Sequence, residues 1–132
     1  MINLKNGNLK VNENLEIGSG FCFDDFKQTP YYKNHDSLRM VYFNEKQEID
    51  GRNYIVGLFF RENSLYLISL VNCDIEIFAV EERKRKKVHD DILKRYGIES
   101  GQRFCWGTVV SDYDVRGNVS SINIIYERIE NE

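Results

Sequence analysis

A single proline, no internal repeat and no low-complexity block mark this 132-residue chain, and with them goes any linker. Its length suffices for one core and is too short for two ordinary domains, so residues 1–132 read as a single domain. The longest apolar run, Tyr54 to Phe60, is seven residues and falls far short of a membrane-spanning helix. The first residues lack the apolar stretch of a secretory signal, and the last four, Ile129 to Glu132, carry no lipidation box. Three cysteines (Cys22, Cys73, Cys105) are an odd, widely spaced set, which reads as reduced thiols in a cytoplasmic protein and not as a disulfide framework. Excess positive charge is also missing. With 18 Lys+Arg against 21 Asp+Glu, a net charge of −3 argues against nucleic acid or anionic membrane as the main partner. No G-x-x-x-x-G-K, G-x-G-x-x-G or G-x-S-x-G sequence occurs, and the two histidines, His35 and His89, sit in no metal-binding spacing. No cofactor or metal is therefore expected.

What the chain does have is aromatic side chains (8 Tyr, 8 Phe, 1 Trp) and alternation, too many aromatics for a disordered segment. Ile2 and Leu4, then Asn6-Gly7, then Leu9 and Val11 read as an opening hairpin, with Leu15 and Ile17 as a third short strand. Phe21 to Thr29 reads as an aromatic turn or short helix stopped before Pro30. Leu38, Met40 and Tyr42 alternate into a strand closed by Asp50-Gly51. Tyr54–Phe60 and Leu65–Val71 read as a hairpin at the centre of a sheet. Over residues 80–96 the period changes. Val80, Val88, Ile92 and Tyr96 fall on one helical face, Gly97 offers a left-handed stop, and Glu81→Arg85 and Glu82→Lys86 are well-oriented pairs. Arg103–Val110 and Val119–Tyr126 then form a terminal hairpin, with Phe104, Trp106, Thr108 and Val110 on one face and a polar loop, Ser111 to Asn118, between. The expectation is an α+β fold: a mainly antiparallel sheet covered on one face by one long helix.

Charge is not evenly spread. Residues 1–80 carry eight basic and eleven acidic side chains, residues 81–97 seven and four, residues 98–132 three and six. The helix is a basic island on an acidic body. Arg83, Arg85 and Lys87 belong to a run of five cations that resembles a polyanion patch, yet five consecutive residues point around most of a helix, so a solvated, salt-bridged face is the expectation.

Acidic residues supply the other candidates. Asp24-Asp25 sit where helix caps are found. Asp112-x-Asp114 could begin a calcium site, but the remaining ligands are missing, and turn-capping is the ordinary role. Tyr113, between them, combines a large contact area with flanking carboxylates, which makes Asp112, Tyr113 and Asp114 the candidate partner-binding set. Phe23, Phe26 and Tyr31 are expected to close the edge of the core. Cys105 on its strand is expected to be a small buried residue, and a Cys–His pair has no local support.

In size, acidic sheet body, lack of catalytic motifs and the terminal pattern Trp106-Gly107-x-x-x-Ser111-x-Tyr113-Asp114, the chain resembles the small α+β immunity proteins of bacterial polymorphic-toxin and contact-dependent-inhibition systems. The resemblance implies stoichiometric neutralisation of a cognate toxin domain, with no residue roles carried over and no oligomeric state. Two other classes stand beside it: a small enzyme drawing acid and base groups from Asp, Glu, Tyr or His35 on separate loops, and an RNA-binding adaptor using the basic helix.

Overall fold

The computed structural model describes residues 2–33 and 40–127. Leu38 and His35 lie outside the described residues. The elements run β1 (Leu9–Asn12), β2 (Leu15–Ile17), α1 (Phe23–Lys27), β3 (Met40–Tyr42), β4 (Gln47–Ile49), β5 (Arg52–Arg61), β6 (Ser64–Asn72), a 3-10 turn (Ala79–Glu81), α2 (Arg83–Arg95), β7 (Gln102–Phe104), β8 (Gly107–Asp114) and β9 (Val119–Tyr126). This is an α+β architecture dominated by one antiparallel sheet of seven strands. Its order is β3-β5-β6-β9-β8-β7, with β4 pairing β5 further along the edge that β3 occupies. The last strand therefore sits at the centre, between β6 and β8.

The central hairpin forms as its sequence demands. Runs rich in Val, Ile, Leu and aromatics give β5 and β6, joined by the two-residue turn Glu62-Asn63 with Glu62 at a positive φ of 59°. Asp50-Gly51, both at positive φ, close the β4–β5 hairpin between Ile49 and Arg52, the geometry of a primed turn that matches strand twist. Alternation then sorts the faces. Tyr54, Val56, Leu58 and Phe60 on β5, Ile68 and Leu70 on β6, Ile122 and Ile124 on β9 and Val109 on β8 are almost wholly buried on one inner face.

Two structures share that inner face. Helix α2 lies across β6, β9 and β8 and buries His89, Ile92 and Leu93; Gly97, at φ 72°, ends it as expected. The β1–β2 hairpin contributes Leu9, Val11, Leu15 and Ile17, while α1 contributes Phe26, whose ring lies 6.1 Å from that of Phe60. Tyr31 stacks on Phe43 at 4.2 Å, so the aromatics of this stretch do close the core edge. Long-range bonds strap the N-terminal segment to the end of the chain. Trp106 donates its indole N–H to the Leu4 carbonyl at 2.9 Å, and the Tyr126 hydroxyl donates to the Gly7 carbonyl at 2.6 Å.

Five expectations are corrected. The first hairpin pairs β1 with β2 around Glu13-Asn14, and Ile2 meets Leu9 only as an isolated bridge. Asn6-Gly7 instead belongs to a wider turn in which Asn3 and Asn8 are hydrogen-bonded and Gly7 lies under the Trp106 ring. The helix begins at Arg83 and not near residue 80, because the chain first makes a 3-10 turn; Val80 is thereby left 93% exposed. Arg103–Val110 is two strands, broken at Cys105-Trp106. Gly107 packs so closely on the Ile125 carbonyl that a Cβ would fall 1.9 Å from its oxygen, and Trp106 turns inward while Thr108 and Val110 point to the other face. Cys105 is exposed at that turn, with Sγ 3.7 Å from the Lys5 carbonyl oxygen. Finally, β8 runs to Asp114, so the polar loop shrinks to Val115–Asn118.

Candidate functional site

Strand β8 carries all three residues singled out and divides them between its two faces. Ser111 and Tyr113 point to the inner face, and Asp112 and Asp114 to the opposite one. Tyr113 lies under the Arg83 guanidinium at 4.5 Å and donates its hydroxyl to Asn118 Oδ1 at 2.6 Å. Residues from two separate candidate sets, Tyr113 and Arg83, thus meet each other. Asp112 and Asp114 stay exposed; Asp114 Oδ1 accepts the Arg116 N–H at 3.1 Å, the turn-capping role expected for it.

Arg83, Arg85 and Lys87 do not form one patch. The Arg85 side chain is 13% exposed and turns into the body, donating Nε–H to Glu82 Oε2 at 2.9 Å and Nη1–H to the Asn72 carbonyl. Glu82 is buried in turn and accepts the Ser120 backbone N–H at 2.9 Å, while its own carbonyl accepts the Ser120 hydroxyl. This pair fastens the start of α2 to β6 and β9. Removing one partner would leave a buried charge, which makes Arg85 structural. The expected pairs Glu81→Arg85 and Glu82→Lys86 are replaced by Glu81–Lys84, Glu82–Arg85 and Lys86–Asp90, because the helix starts three residues late and Glu82 takes the capping position.

Neither a thiol nor His89 is set up for catalysis. His89 is fully buried, its Nε2 accepting the Asn72 N–H at 3.0 Å, and among the described residues no cysteine hydrogen-bonds a histidine. Burial, followed by the charge of Arg85, pushes the His89 pKa down to about 4, so the ring is neutral at pH 7. Cys22 and Asp25 act on each other as a cap: the Asp25 carboxylate accepts the Cys22 N–H at 3.0 Å and its thiol at 3.2 Å, which holds Asp25 below the usual carboxylate range. Among the described residues no group of three or more His, Cys, Asp and Glu is placed to hold a metal ion, and no helix is long and apolar enough to cross a membrane.

The most exposed large apolar side chains gather where the 73–82 connection meets the β8–β9 turn. Ile75 is 57% exposed, Phe78 66%, Val80 93%, Val115 70% and Val119 46%. Asn118 Nδ2 donates to the Ala79 carbonyl at 2.7 Å, which holds the β8–β9 turn against the 3-10 turn. Phe78 and Val80 flank that carbonyl in the chain, and Val115 belongs to the turn it holds. Beside them runs an open groove of about 590 Å³ lined by Ile55, Val71, Ile75, Ile77 and Val119, with Glu82 and Arg85 at its back. Asp74 anchors its wall. Burial pushes the Asp74 carboxyl up, but hydrogen bonds from Asn72 and Asn53 outweigh it and hold the pKa low.

Charge around this apolar end is mixed, with the Arg83 guanidinium over the Tyr113 ring at its border with the basic helix. Segments 74–82 and 112–119 together carry six acidic side chains and one basic residue, Arg116. Asp74, Glu81 and Glu82 are engaged within the chain, whereas Glu76, Asp112 and Asp114 are exposed. The sequence reading missed Phe78 and Val80. Val80 fitted the helical period, and only the 3-10 turn that delays the helix turns it outward. No protein-family model, no curated protein and no solved structure matches this chain.

Proposed function

We propose that this chain is a protein-binding domain of the immunity type, holding a cognate toxin domain at its apolar end and neutralising it stoichiometrically. The observation that carries the reading is the exposure of Phe78, Val80 and Val115 on two segments joined by the Asn118–Ala79 bond, with Glu76, Asp112 and Asp114 also exposed on or beside those segments. Interfaces concentrate energy in a few large apolar side chains enclosed by a polar rim, and exposed carboxylates in that rim favour cationic groups on the partner. The partner is therefore a protein with a cationic surface around an apolar contact, as the active site of an enzyme acting on nucleic acid would be. Residues that face solvent before binding lose little internal packing when changed, so function and folding separate cleanly here. The proposed site of action is the cytoplasm, in keeping with three free thiols.

The test is co-expression with the toxin domain encoded beside the gene, read as growth rescue and as a 1:1 complex. The wild-type chain is expected to rescue. Phe78→Asp with Val80→Asp is expected to weaken binding at least 30-fold with unfolding midpoints unchanged. Asp112→Lys with Asp114→Lys is expected to slow association and flatten its salt dependence. Full affinity in the Phe78/Val80 variant overturns the site, and failure of the wild type to rescue or bind overturns the function.

A further inference from the structure

A second surface adjoins that end: the face of the seven-stranded sheet on which no described helix or strand packs. Register fixes what it presents. One cross-strand row reads Met40, Phe59, Leu67, Ile125, Thr108 and Arg103. The next, toward the β4–β5 turn, reads Tyr42, Gly57, Ser69, Asn123 and Val110. Beyond it come Ile55 opposite Val71, and Ser121 opposite Asp112. Met40 and Tyr42 on the edge strand β3 and Ile55 on β5 are 46%, 45% and 43% exposed, and Phe59, Leu67, Val71 and Ile125 on the inner strands are half-buried. The small polar row runs between two apolar ones.

Its charges have a direction. Toward the β5–β6 turn stand Arg61, whose guanidinium lies 4.5 Å from the Tyr66 ring centroid, and Arg103, paired with Glu127 at 2.7 Å yet 73% exposed. Toward the opposite end stand Glu48 and Asp112, both exposed. We propose that this face is the interface of a two-fold homodimer, sheet against sheet, with the axis along the Gly57–Ser69–Asn123 row.

That operation lays the upper end of one copy on the lower end of the other. Arg61, four residues above Gly57 on β5, then meets the Asn53–Glu48 pair, four residues below it. Arg103, in the row of Thr108 two above Val110, meets Asp112, two below it. Both contacts occur twice; Glu127 falls on Val119 and beside Asp114, where its ion pair with Arg103 offsets the repulsion. The apolar row carrying Phe59 and Leu67 falls on Ile55 and Val71, and Ser69 and Asn123 meet their own copies at the axis, where polar side chains fix register. A surface that is its own complement under a two-fold is what an isologous dimer requires; a partner of uniform charge would face repulsion at one end. Six strand positions at about 4.8 Å spacing and strands of about eight residues give a footprint of about 600 Å² per copy, about 1,200 Å² in all, which reaches the range of specific interfaces. Phe78 and Val80 lie outside this footprint, whereas Asp112, Ile55 and Val71 belong both to it and to the rim and groove of the partner site, so the dimer is tested at Leu67, Arg61 and Glu48, which the partner reading does not use.

Sedimentation equilibrium of the full chain from 1 to 200 μM tests it. The expected result is a concentration-dependent rise toward about 31 kDa, twice the 15.6 kDa chain. Leu67→Glu is expected to hold the mass at one chain with the far-ultraviolet spectrum retained. Arg61→Glu alone and Glu48→Lys alone are each expected to weaken dimerisation about 10-fold, and the double swap to restore it. A wild type that stays monomeric to 200 μM overturns the proposal, as does a dimer indifferent to Leu67→Glu or a double swap no better than the single ones.

Discussion

His89 offers a quantitative test of how the helix is seated. Its side chain is fully buried under α2, Nε2 accepts the Asn72 backbone N–H, and Nδ1 has no hydrogen-bond partner among the described residues. An imidazole that accepts at Nε2 carries its proton on Nδ1, and protonating Nε2 would both break that bond and bury a cation. Arg85 and Lys86 oppose the added charge, Glu82 and Asp90 favour it, and burial outweighs all of them, bringing the pKa from 6.5 to about 4. The unfolded chain therefore binds this proton more readily than the folded one between these values. Stability from His89 is complete above pH 6.5 and is lost as the pH falls toward 4. A shift from 6.5 to about 4 amounts to about 3 kcal/mol at about 1.4 kcal/mol per unit. Urea unfolding at pH 7.5 and pH 4, on the wild type and on His89→Gln, isolates this contribution, because the carboxylates that also titrate are common to both chains. Glutamine keeps an acceptor for Asn72 but does not ionise. The wild type is expected to lose about 3 kcal/mol more than the variant over this interval. Equal losses would refute the assignment of His89 as a neutral, buried seat for the helix.

Two further outcomes follow from close contacts and buried charge. Gly107→Ala is expected to abolish the β7–β8 hairpin or cost more than about 3 kcal/mol, because the new Cβ would lie 1.9 Å from the Ile125 carbonyl oxygen in the backbone of β9; thermal unfolding reads this directly. Glu82→Ala is expected to cost about 3–5 kcal/mol by stranding Arg85 and the Ser120 N–H, whereas Glu81→Ala, whose ion pair with Lys84 is solvent-exposed, is expected to change stability by less than about 1 kcal/mol. Chemical denaturation of the two variants side by side checks the contrast.

Much of the fold was legible because it rests on local patterns. The β5–β6 hairpin, the inward Ile122, Ile124 and Tyr126, the short α1 and the Gly97 stop each follow from period, length or turn chemistry. The misreadings arose where a distant contact decided the outcome. Trp106 leaves strand alternation because Gly7 and the Leu4 carbonyl await it a hundred residues away. Val80 satisfies a helical period but precedes the helix, in a 3-10 turn that leads to Glu82, which is held to Ser120 on β9. The acidic pair Asp112 and Asp114 was visible as chemistry, while the side of the sheet on which Tyr113 would lie depended on how far β8 extends. Arg85 looked like its neighbours in the basic run, and only its burial against Asn72 sets it apart.

The position of β9 bears on how the chain reaches its fold. Among the described residues it is the last strand in sequence and the one that joins β6 to β8, so the two halves of the sheet remain separate until residues beyond Val119 have been made. The β1 region is likewise secured only once Trp106 and Tyr126 are in place. A nascent chain on the ribosome thus presents a finished β5–β6 hairpin with an unpaired β6 edge and cannot close on it. Closure is a long-range event, slow by its topology, and the unprotected edge makes the interval before β9 pairs the one in which the chain is most open to aggregation or to chaperone capture.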